Sequence, residues 1–119
     1  MGTITGTDVV GTHENDSGAR SRIITWEAMG DDDTGTSIEV YSYPDKTIQF
    51  SGTWGGATVI LQGSQDGTTW KTLVDSSGIA LSFTVDSDIK LIRDNPRFLR
   101  ASSSGGSGTD VDVIITAVK

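Results

Sequence analysis

Thr47-Ile48-Gln49-Phe50-Ser51-Gly52-Thr53-Trp54-Gly55-Gly56-Ala57-Thr58-Val59-Ile60-Leu61-Gln62 is the stretch that decides the fold. Successive side chains of a strand point to opposite faces, so apolar residues at every second position mark a surface with one buried side. Residues 47–51 alternate in this way. Ala57, Val59 and Leu61 face one way, while Thr58 and Gln62 face the other. Between the two runs stand adjacent glycines. Two glycines are the chemistry of a two-residue primed turn, which needs positive φ at its centre. The stretch is a β-hairpin.

The same grammar extends in both directions. Downstream, Gln65-Asp66-Gly67 turns a second hairpin, and its return strand at about 69–74 starts near Trp70. Asp75-Ser76-Ser77-Gly78 is another turn, after which Leu81, Phe83 and Val85 alternate with Ser82 and Thr84. Residues 89–92 form a further strand, Asn95-Pro96 breaks the chain before residues 97–100, and 102–108 read as a flexible loop by composition. The last strand, 110–118, sets Val111, Val113, Ile115 and Ala117 on one face. Upstream, residues 37–43 alternate, Gly30-Asp31-Asp32-Asp33-Thr34-Gly35 interrupts, and Arg22-Ile23-Ile24-Thr25-Trp26 is a short β-rich run. About eight to ten short strands result, and no window carries a helical apolar stripe. The expected fold class is all-β: a single antiparallel β-sandwich or jelly-roll-like domain over residues 19–119. Residues 1–18 are polar and rich in Gly and Thr, with Ile4, Val9 and Val10 to bury, and read as a flexible N-terminal arm that orders on a partner.

Composition bounds the function. At 119 residues the chain makes one domain, since halving it leaves two marginal cores. Fifteen glycines against two prolines fit many tight turns. The net charge of −7 and pI near 4.4 repel a phosphate backbone, so no nucleic-acid partner is expected. Zero cysteines exclude disulfides and thiolate metal sites. No run approaches the ~18 apolar residues of a membrane span, and the first ten residues lack the basic and apolar parts of a leader. The expectation is a soluble chain made in the cytoplasm, with no membrane partner.

Few residues suggest chemistry. His13 is the single histidine and sits in the polar N-terminal stretch, without the packing that a Ser-His-Asp device requires. Asp31-Asp32-Asp33 is the one tight acidic cluster, but it lacks the alternating pattern of a calcium loop and reads as a solvated turn. Gly105-Gly106-Ser107-Gly108 has neither a following lysine nor a helix to cradle phosphate. The expectation is no enzyme, no metal and no cofactor. Trp26 and Trp70 are expected in the core. Trp54 abuts the Gly-Gly turn, where its ring is either packed against neighbouring loops or presented as a platform for a sugar or an interface. Arg93, Arg97 and Arg100 reverse the local sign of charge. They either pair with nearby Asp or dock an acidic partner, whose carboxylates suit the guanidinium fork.

The run from Pro44 through Ser51, Trp54-Gly55-Gly56 and Leu61 to Trp70 is similar to a block found in small structural proteins of tailed bacteriophages. The closing region, with Pro96, Arg100, the Gly-rich loop and the strand 109–118, is similar as well, so about two-thirds of the chain is covered. The hairpin Ser64-Gln65-Asp66-Gly67-Thr68-Thr69-Trp70 also resembles the Ser-x-Asp-Gly-x-x-Trp hairpin of discoidin-type sandwiches, where it is structural. The phage resemblance implies a virion β-sandwich, foremost a capsid decoration (cement) protein. Such a protein sits on the outer capsid surface, forms a homo-oligomer and binds the major capsid protein. Trp54, Arg93, Arg97, Arg100, Ile4, Val9 and Val10 are the expected partner-binding residues. The alternatives are a carbohydrate-binding or receptor-contacting accessory of a tail or fibre, or a neck or tail adaptor.

Overall fold

A computed structural model describes residues 2–4, 7–10, 21–40 and 43–119. Among them twelve strands form and no helix. They are β1 (Gly2–Ile4), β2 (Thr7–Val10), β3 (Ser21–Met29), β4 (Asp33–Gly35), β5 (Ile38–Glu39), β6 (Asp45–Thr53), β7 (Thr58–Ser64), β8 (Lys71–Thr72), β9 (Ser82–Phe83), β10 (Lys90–Ile92), β11 (Phe98–Ser104) and β12 (Asp110–Val118). They build two sheets. The first runs β1-β4-β11-β7-β8, with β5 added on β11 and β9 on β7; the second runs β10-β6-β12-β3-β2. Every ladder is antiparallel except β1 with β4. The chain is an all-β sandwich.

The inner faces follow the alternation. Val111, Val113, Ile115 and Ala117 of β12 are fully buried, as are Ala57, Val59 and Leu61 around the start of β7. Ile48 and Phe50 of β6 join them, and Phe83 packs on Phe50 with ring centroids 4.9 Å apart. The Gly-Gly turn takes φ of 57° and 87°, and the Ala57 amide donates to the Trp54 carbonyl, closing the primed hairpin. Trp26 of β3 is fully buried and donates its indole N–H to the Thr36 carbonyl at 2.9 Å.

Several expectations shift. The strand expected over 37–43 shrinks to β5, although Ile38, Val40 and Tyr43 still turn inward. The strand at 69–74 shrinks to β8, and Trp70 is half-buried rather than core. Thr72 lies opposite Gln62, an outward position of β7, and Trp70 keeps that phase while Leu73 takes the inward one. Val85 breaks the 81–85 alternation and is 65% exposed, because pairing stops at Phe83. Ser102–Ser104, read as loop, extend β11, since Ile60, Val59 and Thr58 offer them a ladder. Within the stretch read as an arm, β1 pairs with β4 and β2 with β3, so that stretch adds a strand to each sheet. His13 lies outside the described residues.

β3 bulges where Val111 faces Met29 but Val113 faces Trp26, so two residues of β3 oppose Asp112 alone. Ala28 adopts φ of 55°, and its amide donates to the Asp112 carboxylate at 2.9 Å. Just beyond, Gly35 passes so close to the buried indole that a Cβ there lies 2.6 Å from the Trp26 ring. Neither a ring locked in the core nor the Ala101 carbonyl behind it has room to yield. Gly35→Ala is therefore expected to cost about 1–3 kcal/mol, read as a lower midpoint in urea unfolding with an unchanged slope. Gly56→Ala, with nothing within 4 Å of the added atom, isolates the cost of positive φ alone.

Candidate functional site

The two ends of the sandwich differ. At one end three loops are tied into a single body. Asp31 accepts from the Thr109 amide, Asp32 from the Gly105 amide and Asp33 from the Gly30 amide. Thr109 Oγ1 donates to the Trp54 carbonyl, and the Ser107 amide donates to the Gly55 carbonyl. Asp31 and Asp32 thus brace the glycine-rich loop, and the Thr109 amide chiefly holds the Asp31 carboxyl below its usual range. Among the described residues no group of three or more potential metal ligands converges.

Trp54 belongs to this closed end. Its ring is partly buried against the core, and its indole N–H donates to Asp86 at 2.8 Å. That bond, joined by the Gly52 amide, lowers the Asp86 carboxyl. The ring is thus tied to the loop that carries Asp86 and remains half-exposed.

The opposite end is open. A groove of about 600 Å³ lies between the 64–70 hairpin and the 94–96 bend, floored by Gly63, Leu73 and Pro96. A Cβ on Gly63 lies 2.7 Å from the Pro96 ring and 2.8 Å from Leu73, so glycine is what lets this floor close. The walls are polar: Gln65, Asp66 and Thr69 on one side, Asp94 and Asn95 on the other, and Lys71. Two side-chain amides here have their carbonyls engaged. Gln65 Oε1 accepts from the Arg97 amide, and Asn95 Oδ1 accepts from Lys46 Nζ. Lys46 is 1% exposed, in phase with Ile48 and Phe50, and its second acceptor is the Tyr43 carbonyl. Burial pushes its pKa down, opposed by Asp45 and Asp94.

Asp66 organises the hairpin wall. Its Oδ1 accepts from the amides of Thr68 and Thr69 and from Ser64 Oγ, each within 2.9 Å. The two backbone bonds chiefly drive its pKa down to about 2.

The arginines are engaged within the chain. Arg97 pairs with Glu39 at 2.7 Å and lies over the Phe98 ring, and Arg93 lies 3.5 Å from Asp94. Arg100 donates to Gln62 and stacks over Trp70 at 4.1 Å from the ring centroid. Arg97, Arg100 and Trp70 gather near the groove end of the first sheet, whereas Trp54 stands at its other end. Ile4 is in β1, and Val9 and Val10 are in β2, on different sheets. The expected binding residues therefore occupy several separate surfaces. Sequence reasoning missed the groove, because its floor joins residues some thirty positions apart. The inward phase of Lys46 was readable from its spacing to Ile48.

No protein-family model matches the chain, and no curated protein sequence matches it. Solved structures do. The chain is similar to the SPBc2 prophage-derived protein YomS, with a TM-score of 0.63 and 12% identity over 83% of this chain and 95% of that one. It is equally similar to the PBSX exported protein XepA, with a TM-score of 0.63 and 12% identity, covering 93% of this chain and 45% of XepA. At such identity the shared property is the sandwich fold.

Because Asp66 ionises far below a free carboxyl in the folded chain, its contribution to stability is present above pH ~4 and is lost as pH falls through about 2. Carboxyl-carbon NMR is expected to show Asp66 titrating near 2, and Asp66→Asn to flatten the acid limb of the stability curve. A midpoint near the ordinary carboxyl value defeats this account of the hairpin.

Proposed function

We propose that the chain is a non-enzymatic structural protein of a bacteriophage particle, and specifically a decoration protein that binds the major capsid protein on the outer shell and stabilises it. The observation that carries this reading is the fold held in common with YomS over 83% of this chain and 95% of that one, since YomS is a prophage product. The PBSX exported protein XepA shares the fold over 93% of this chain, though over 45% of its own length. The carboxylates favour a structural role: Asp31, Asp32, Asp33, Asp66, Asp86 and Asp112 are engaged by backbone amides, where they brace loops instead of meeting a substrate. A charge of −7 suits an outer surface better than a lumen packed with DNA. Synthesis in the host cytoplasm followed by assembly onto the shell belongs to the same reading.

Quantitative mass spectrometry of purified particles tests it. The expected result is the chain present in numbers comparable with the shell's capsomers. A copy number near that of a single tail or neck ring supports the adaptor reading instead, and absence from particles overturns both.

A second reading, a carbohydrate- or receptor-contacting module, is favoured by the groove. Gln65 and Asn95 have their carbonyls engaged, which leaves their NH₂ groups as donors in a groove also lined by Asp66 and Asp94. Donors and acceptors over an apolar floor match sugar hydroxyls, which are both at once. On this reading, titration with methyl glucoside and N-acetylglucosamine shifts amide resonances of residues 63–71 and 94–97, and Asn95→Ala weakens binding. Unmoved resonances at high sugar concentration dispose of it.

A further inference from the structure

The core of the sandwich holds a lysine. Lys46 is 1% exposed and points inward from β6, in phase with Ile48 and Phe50. Lysine is rarely buried unless an opposite charge meets it. Here both acceptors of Nζ are neutral: the Tyr43 carbonyl at 2.9 Å and Asn95 Oδ1 at 2.5 Å. The second contact is tighter than the roughly 2.7–3.2 Å usual for an N–H donor on oxygen. A carbonyl bond is about 1.23 Å long, so Nζ stands no more than about 3.7 Å from Asn95 Cγ. Reacting atoms held in a productive pose lie about 3–3.5 Å apart. Burial lowers the Lys46 pKa, against the charges of Asp45 and Asp94, and so favours the neutral amine. A desolvated amine is a nucleophile. Rotation about Cε–Nζ exchanges the N–H aimed at Oδ1 for the lone pair, with Cγ beside it.

We propose that Lys46 and Asn95 form a modification site at which the two side chains join through an intramolecular amide bond. Nζ adds to Cγ, the Nζ–Cγ bond forms and the Cγ–Nδ2 bond breaks. One proton passes from Nζ to the departing nitrogen, which leaves as ammonia. Atoms and electrons balance without an oxidant or a co-reactant. Asp94 precedes Asn95, lines the same groove and carries the proton between the two nitrogens. Asn95 opens on that groove, which gives ammonia a way out. The product ties β6 of the second sheet to the bend that feeds β11 of the first, across 49 residues of chain. A bond between positions so far apart restricts the unfolded chain as a disulfide does, and this chain has no cysteine with which to make one. The bond consumes the NH₂ group that sugar binding would require of Asn95, so the two uses of this residue exclude each other. It is independent of the particle role.

Intact mass spectrometry of the full chain, purified folded and then denatured, is the test. Wild type is expected to be lighter by one ammonia than its sequence. Trypsin is expected to release residues 94–97 joined to residues 23–71, because a bonded Lys46 is no longer a cleavage site. Lys46→Arg keeps the charge and loses the nucleophile, while Asn95→Ala loses the acceptor, and each is expected at full mass. A wild-type chain still at full mass after prolonged incubation in the folded state overturns the proposal, and that result needs no variant to fold. So does an ammonia loss that maps to Asn15, or one that persists in either variant.

Discussion

The sandwich depends on one buried contact, the Trp26 indole wedged against the backbone of the opposing sheet. Trp26 belongs to β3 of the second sheet, yet the atoms that limit it are Gly35 of β4 and the Ala101 carbonyl of β11, both in the first. Its ring N–H would be unsatisfied in a dry core, and the Thr36 carbonyl accepts it. The side chain therefore sets the spacing of the two layers and pins β4 at the same time. The bulge at Glu27 and Ala28 follows immediately, which bends β3 so that the chain can cross from one sheet to the other. Asp112, the single residue facing that bulge, closes it by accepting the Ala28 amide.

Once β3 and β4 are placed, the loops around them have little freedom. The acidic triplet between them meets the glycine-rich loop between β11 and β12, and short carboxylate side chains reach amides that no strand supplies with a partner. In this chain aspartate substitutes for missing strand pairing. The same device shapes the 64–70 hairpin through Asp66 and the 75–78 turn through Asp75, which accepts from Ser77 and Ile79. Much of the acidity is thus structural, and its surplus gives the protein its sign. The closed end has spent its polar groups on itself. At the groove end, the Gln65 and Asn95 amides keep donors to offer.

The sequence was most legible where both strand partners were long. Val111, Val113, Ile115 and Ala117 obey strict alternation because β12 is flanked on both sides by nine-residue strands that enforce its phase. Legibility fell at the edges. Val85 and Trp70 follow the alternation on paper, but β9 and β8 are two-residue strands, and beyond them nothing compels an inward turn. Ser102–Ser104 failed in the other direction: their composition is that of a loop, and pairing with Thr58, Val59 and Ile60 overrides it. The arginines were visible as a cluster in sequence, yet only the fold could show that Arg97 meets Glu39 and Arg100 meets Trp70, across 58 and 30 residues of chain.

The two outer faces divide the available work. On the first sheet, Arg100 over Trp70 and Arg97 over Phe98 make flat cation–ring pairs. On the second sheet the outward rows Leu91-Thr47-Thr116-Ile23 and Gln49-Ile114-Thr25 hold no charge. A partner that presents carboxylates would find the guanidinium fork on the first face, and one recognised by shape and apolar area would find its match on the second. Because the faces lie on opposite sides of a body two sheets thick, occupation of one leaves the other accessible.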